Sequence, residues 1–375
     1  REVRPTDTNY GSCQSKYSFS GNQFGYFYPS EYHGRYFNFT NNLDDIARKG
    51  MHYWCKNYMP IRLFSYFPNM PTQENPLNGA GYLSVFDSTY EILYISKRDF
   101  IPKQEFLPNL IWDNKENTFK YNGTPVTVHS EYFDDISWTL AFDPSGGQDG
   151  NGAFLSWYDW HPDWTIQTER HFMSVKKNTI WKHNERCDLF CNYYNKDYPF
   201  QIEIIDSDGQ IVNSRRNVEY QLEAYHYKNN CADKFHILDE NFDTLQVYNT
   251  EQASPLYNLL PNPQTKYGSI EFPRKNGNRW DILFTKEEQK YRVNMFWDAT
   301  KDRGEFTNNE FHIFVNHASG YKKIMNPAAF DILKPENQRK KFRHYFTKFL
   351  FSKEVSKNTK YLIKLFNFKK QYSIR

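Results

Sequence analysis

Cysteine is scarce in this 375-residue chain: five residues, Cys13, Cys55, Cys187, Cys191 and Cys231, form an odd and scattered set. That pattern excludes a disulfide framework. Cys187 and Cys191 are separated by three residues, with His183 four before the first, and so miss the two-residue spacing of knuckle-type zinc sites. They read as free thiols, and no metal is expected. Alanine, leucine and glutamate are sparse, which disfavours long helices. Long apolar runs are missing too: the most apolar stretch, "KFLFSKEV", is too short and too charged to cross a bilayer. There is no phosphate-binding loop, dinucleotide fingerprint, nucleophile elbow or zinc-protease helix motif, so neither an enzyme nor a cofactor is expected. A signal peptide is also lacking, and the first residue is Arg1 rather than Met. The expectation is a processed product, a trimmed chain or a fragment whose N-terminus once continued upstream.

Aromatic residues are abundant: 19% of the chain, with 32 Phe and 29 Tyr. Such side chains suit pleated, half-buried surfaces, so the chain reads as mainly β. Its length allows two or three domains or one large repeat domain. The net charge of +3 conceals an asymmetry. Residues Gln338 to Arg375 hold 12 Lys or Arg and one acid, Glu354, for +11, which leaves −8 on residues 1–337. An acidic body carries a basic tail.

Three segments share one plan: "GYFYPSEYHGRYFNFTNN" (Gly25 to Asn42), "GYLSVFDSTYEILYISKRD" (Gly81 to Asp99) and "ISWTLAFDPSGGQDGNGAFLSWYDW" (Ile136 to Trp160). Each alternates as a strand, turns through Asp, Ser or Gly, and alternates again. A shorter hairpin follows in "HFMSVKKNTIWKHN", with Lys177 and Asn178 at its turn. Antiparallel hairpins repeating at about 50 residues predict β-propeller or kelch-like blades. Three units are fewer than a closed ring needs, so the ring is completed by a concealed blade, by upstream chain or by another subunit. A helical insertion is expected near 42–60, with Asn42 as its cap and Asp44 and Asp45 at its positive end. After Asn184, "DYPFQIEIIDSDGQIVNSRRNVEYQLEAYHY" predicts long strands with a hairpin at Asp208-Gly209. The expected organisation is propeller-like blades over 1–190, a β-sandwich-like region over 191–262, and an extended arm with a basic β-rich docking segment over 263–375.

The densest stretch is "LSWYDWHPDW", Leu155 to Trp164. As a strand up to Pro162 it puts Trp157, Asp159 and His161 on one face, and Tyr158 and Trp160 on the other. Asp159, His161 and Asp163 could ligate a cation or act as acid and base, but further ligands and a nucleophile are missing at recognisable spacing. Trp157, Trp160 and Trp164 could form a glycan platform. The preferred reading is scaffold, because buried indoles contribute several kcal/mol each, at about 3–5 kcal/mol on truncation. Another acid cluster, Asp298, Asp302, Arg303 and Glu305 in "FWDATKDRGEF", reads as an ion-paired turn.

In the tail, basic residues alternate with Phe, Tyr, Leu and Ile, as in "KYLIKLFNF". Such strands suit a phosphate backbone or an acidic protein surface; docking on a neighbouring subunit is preferred, and contact with DNA or cargo in a channel is the second option. Arg339, Lys340, Lys341, Arg343 and His344 are the expected anchoring residues.

"GYFYPSEYHGRYFNF", "DISWTLAF", "FLSWYDWHPDW", "NTIWKHN", "DYPFQIEI", "EEQKYRVNMFWDATKDRGEF" and "NPAAFDILKPENQRKKFRHY" together resemble the C-terminal part of the tail stabilization, or muzzle, protein of crAss-like bacteriophages. The resemblance runs from about Gly25 to the end. In that family the matching region closes a much longer virion polypeptide, which would account for the missing Met and the incomplete blades. It implies a virion structural subunit at the distal end of a short tail, assembled with copies of itself and other ring proteins and sealing or gating the channel. It implies no catalytic residue. Two rival expectations are a host-glycan binding module using Trp157, Trp160 and Trp164, and a glycan or peptidoglycan hydrolase built on Asp159 and Asp163, whose carboxylates would face one cleft at roughly 5–9 Å.

Overall fold

The computed structural model describes residues 17–31, 33–70, 79–147, 150, 152–183, 191–207, 213–228, 233–237, 240–249, 251–254, 256–259, 269–274, 277–287, 290–294, 296–299, 312–317, 320–325, 340–344, 346–353 and 361–373. Strands take 55% of the chain and helices 8%, so the fold is mainly β. Two compact units form: residues 1–185 with 315–322, and residues 186–314 with 323–375.

The first unit opens with an antiparallel sheet of β1 (Ser20–Asn22), β2 (Gly25–Ser30), β3 (Arg35–Phe39) and β4 (Leu43–Asp45), in that order. The expected helix cap at Asn42 is displaced, because residues 43–45 are consumed by pairing with Phe37 to Phe39. Asp45 caps instead, accepting from Ala47 N at the 3-10 turn Ile46–Arg48. Two short helices follow, α1 (His52–Tyr58) and α2 (Leu63–Tyr66).

Twelve further strands follow before residue 186: β5 (Gly81–Asp87), β6 (Ile92–Arg98), β7 (Phe100–Pro102), β8 (Leu110–Asp113), β9 (Thr118–Tyr121), β10 (Thr124–Val126), β11 (Phe133–Asp135), β12 (Trp138–Asp143), β13 (Ala153–Tyr158), β14 (Trp164–Gln167), β15 (Phe172–Lys176) and β16 (Thr179–Lys182). The second and third of the expected blade hairpins do not stand apart. Pairing of β6 with β12 fuses them into one sheet, β13-β12-β6-β5. The reason is burial on both faces: all seven residues of β5 and six of the seven in β6 are buried, so these strands need cover on either side. One face carries Tyr82, Ile95, Trp138, Leu140 and Phe142 into a cluster with Phe27, Tyr36, Cys55 and Met59. The opposite face carries Tyr94, which meets Trp160 and Phe172. A separate cluster joins α2 to Phe100, Leu110, Phe119 and Phe133. The hairpin at Lys177, where φ is +53, forms as β15 and β16.

The second unit contains β17 (Asn192–Tyr193), β18 (Lys196–Asp197), β19 (Phe200–Ser207), β20 (Asn213–Lys228), β21 (Asp233–Ile237), β22 (Thr244–Tyr248), β23 (Tyr257–Asn258), β24 (Ser269–Arg274), β25 (Gly277–Glu287), β26 (Lys290–Asn294) and β27 (Trp297–Asp298). After β28 (His312–His317) and β29 (Gly320–Met325), which pair with each other, come β30 (Lys340–His344), β31 (Phe346–Lys353) and β32 (Tyr361–Ser373). The expected hairpin at Asp208-Gly209 falls outside the described residues, and its flanking strands part company: β19 pairs with β31, while β20 pairs with β21, β26, β30 and β32. Strands from 191–262 and from 263–375 therefore interleave in the same two sheets. One apolar cluster draws Val218, Tyr220 and Leu222 from β20, Leu245 and Val247 from β22, Tyr291 and Val293 from β26, and Phe349 and Phe351 from β31. Among the described residues no sheet closes on itself.

Candidate functional site

Three consecutive charged residues end β6 and continue beyond it, and all three are buried: Lys97, Arg98 and Asp99 are each 1% exposed or less. Strand alternation sends Lys97 and Arg98 to opposite faces of the sheet. Lys97 Nζ lies 2.6 Å from Asp99 Oδ2 and donates to the carbonyls of Tyr58 (2.9 Å), the last residue of α1, and Pro60 (2.8 Å), just beyond it. Asp99 in turn accepts Arg62 N, Leu63 N and Phe100 N at 2.7, 3.0 and 3.0 Å, which satisfies the first amides of α2. Burial pulls the Lys97 ammonium below its ordinary value, and the Asp99 charge opposes that pull. With every neighbour in place, the pair joins the sheet to both helices.

On the other face Arg98 donates from Nη1 to Asp163 Oδ1 (2.8 Å) and from Nη2 to His129 Nε2 (2.9 Å). A guanidinium has only donors, so His129 Nε2 accepts and the ring proton sits on Nδ1. Desolvation, then the Arg98 and Lys176 charges, pushes His129 below its ordinary value and keeps it neutral. Asp163 is a hub. Its Oδ1 also lies 3.4 Å from Lys176 Nζ, its Oδ2 accepts Lys177 N at 2.7 Å, and its own N–H donates to Val175 O at 2.8 Å. The segment after Pro162 is thereby fastened to β6 and to the β15–β16 hairpin.

Trp160, 1% exposed, fills the space between these elements. Its ring packs on Tyr94 (5.3 Å between centroids), Phe172 (5.7 Å) and His183 (5.0 Å), and its carbonyl accepts from Thr139 Oγ1. Ser174 Oγ lies 2.6 Å from His183 Nε2, a pairing seen in nucleophile–base couples. Here Ser174 is fully buried and the imidazole lies nearly parallel to Phe172, with 6° between the planes. Desolvation lowers the His183 pKa to about 4. This couple is internal packing, closed to substrate.

A glycan platform needs open ring faces. Trp160 is buried, Trp157 is half-buried with its centroid 4.3 Å from that of Trp54, and Trp164 is half-buried with its centroid 4.1 Å from that of Tyr17. Of the two carboxylates named for a hydrolase, Asp163 serves Arg98, Lys176 and the Lys177 amide with its two oxygens. Asp159 and His161 follow β13, and each makes an interaction of its own. Among the described residues no group of three His, Cys, Asp or Glu side chains is placed to hold a metal ion, and no helix is long and apolar enough to cross a membrane. Cys187, Asp302, Arg303 and Glu305 lie outside the described residues; Asp298 is buried and accepts from Gln252 Nε2.

No protein-family model matches this chain, and no curated protein matches it.

Of the expected anchoring residues, Arg339 lies outside the described residues. The backbone of Lys340, Lys341, Arg343 and His344 forms β30, paired with Asn213 to Arg215 of β20 and with β27. Further along, β31 is an interior strand between β19 and β22. The tail is thus built into its own unit. Lys97, Arg98, Asp99, His129 and Lys176 were not singled out from sequence. One local signal existed: three adjacent charges in "SKRDF" close an otherwise apolar strand, and buried charges demand partners.

Proposed function

We propose that this chain is a structural subunit of a bacteriophage virion, placed at the distal end of a short tail. There it assembles with copies of itself and other tail proteins and seals or gates the channel. The ordered sequence resemblance supports the class of protein. The observation that carries the choice of joinery over reaction is the state of Asp163, whose two oxygens fasten three elements together. A general acid or base must be free to exchange its proton with substrate, and this carboxylate is committed to fixed cations. The reading assigns no catalytic residue and no cofactor.

Lys340, Lys341, Arg343 and His344 keep their proposed anchoring role, now as positions on a paired strand rather than on a loose arm. The test is imaging of assembled particles carrying a label on this chain, together with the K340E/K341E/R343E variant. Label at the distal tail, and a folded variant missing from the particles, is the expected result. Label elsewhere, or normal incorporation of the variant, refutes the placement or the anchor respectively.

A further inference from the structure

Two aromatic rings stand open on the first unit. Phe19 and Tyr26 have centroids 5.7 Å apart and planes 19° apart, and each residue is 51% exposed. Their arrangement follows from a missing side chain. The β1–β2 register sets Gly21 opposite Tyr26, and a Cβ on Gly21 would come within 3.2 Å of Tyr26 Cδ1 and Cε1 and 3.8 Å of Phe19 Cε1. Bare backbone lets both rings lie against the strand.

The surroundings are polar, and the charges that follow Asn42 are paired: Asp44 with Lys49 at 3.0 Å, and Asp45 with Arg35 and Arg48. The turn leading into β2 meets the turn after β3, since a Cβ on Gly25 would lie 2.8 Å from Thr40 Cγ2. Gln23, Thr40, Asn41 and Asn42 are exposed there. Asn22 accepts Phe24 N on Oδ1, while its buried Nδ2 finds no acceptor among the described residues. Gln23 Nε2 donates to Glu91 Oε1 at 2.7 Å, which adds one carboxylate at the rim.

Near-parallel ring faces bordered by amides and hydroxyls match the chemistry of a neutral sugar. Ring C–H groups of a pyranose carry partial positive charge and meet the negative face of an aromatic ring. Side-chain amides both donate to and accept from its hydroxyls. A phosphate-bearing ligand would need cations to spare, and the basic residues that follow β4, Arg48 and Lys49, are engaged by Asp45 and Asp44. We propose that Phe19, Tyr26 and the turns holding Asn22 and Thr40 to Asn42 form a binding site for a neutral oligosaccharide. This inference does not rest on the tail assignment.

The test titrates the full chain with maltohexaose, cellohexaose, xylohexaose, mannohexaose and chitohexaose at up to millimolar concentration, using calorimetry, with sedimentation to follow self-association. At least one probe binds, and F19A/Y26A weakens it by about tenfold or more, equivalent to about 1.4 kcal/mol. Tyr26→Phe keeps the ring and binds as wild type. Both substituted rings are exposed, so near-ultraviolet circular dichroism reports a retained fold. Binding of no probe, or binding unaffected by F19A/Y26A, overturns the proposal. A loss of self-association in that variant with no saccharide binding assigns the patch to a second copy and also overturns it.

Discussion

Arg98 and Asp163 form a 2.8 Å ion pair across 65 residues of chain, with the guanidinium 1% and the carboxylate 18% exposed. The pair ties β6 to the end of the Trp-rich stretch, and its value lies in mutual dependence. Removing Asp163 leaves the Arg98 guanidinium without its carboxylate at 1% exposure. Asp163→Ala should therefore lower unfolding free energy by about 3–5 kcal/mol. Adding Arg98→Met should recover much of that loss. Chemical denaturation of the single and double variants checks both, and an additive double variant would refute the coupling.

Trp160→Ala should cost about 3–5 kcal/mol, the range for a large buried aromatic. Trp157→Ala and Trp164→Ala should each cost less, because these rings are half-buried. Denaturation midpoints give the order, and equal losses at all three positions would contradict the packing described.

His183 predicts a stability that depends on pH. Its folded-state pKa is lowered to about 4 by desolvation, whereas an unfolded histidine titrates near 6.5. Between these values the unfolded chain binds more protons, so stability is fully present above about 6.5 and falls as pH drops toward 4. The loss amounts to about 3 kcal/mol at the acid end. His129, lowered in the same direction, adds to the slope. His183→Phe should flatten the curve measured between those pH values; an unchanged slope would remove His183 as its source.

Truncation at Gln338 removes β30, β31 and β32 from the sheets of the second unit. Phe349 and Phe351, both 0% exposed, leave its core with them. The truncated chain should lose the cooperative unfolding of that unit in calorimetry while the first unit still melts. A second unit that melts normally would show that these strands are dispensable.

Gly25 has φ +130, and a Cβ there would sit 2.2 Å from Asn38 Oδ1 and 2.9 Å from Phe39 O. Gly25→Ala is strained by both conformation and contact, and should cost more than about 1 kcal/mol. A thermal midpoint at or above wild type would argue against this turn geometry.

Local features were legible where a strand and its partner are neighbours in the chain. Alternation and turn chemistry located β2 with β3, β5 with β6, and β15 with β16, and the density of indoles around Trp160 signalled packing. The misplaced helix cap shows the limit of the same reasoning. Asn42 is as good a cap as Asp45 by residue type, yet pairing of Leu43 to Asp45 with β3 shifts the start by three residues. Neither the β6–β12 pairing nor the insertion of β31 between β19 and β22 leaves a trace in local periodicity, because alternation specifies which face a side chain takes and not which strand lies beside it.

Composition and pattern alone determined that this chain builds antiparallel sheets around aromatic side chains, since ring-rich alternating segments can bury their apolar faces in no other regular way. Tertiary structure alone decided which charges go inside. Lys97, Arg98 and Asp99 are tolerated in the interior because carbonyls, amides and Asp163 converge on them from distant segments, and only the folded chain brings those partners within hydrogen-bonding distance.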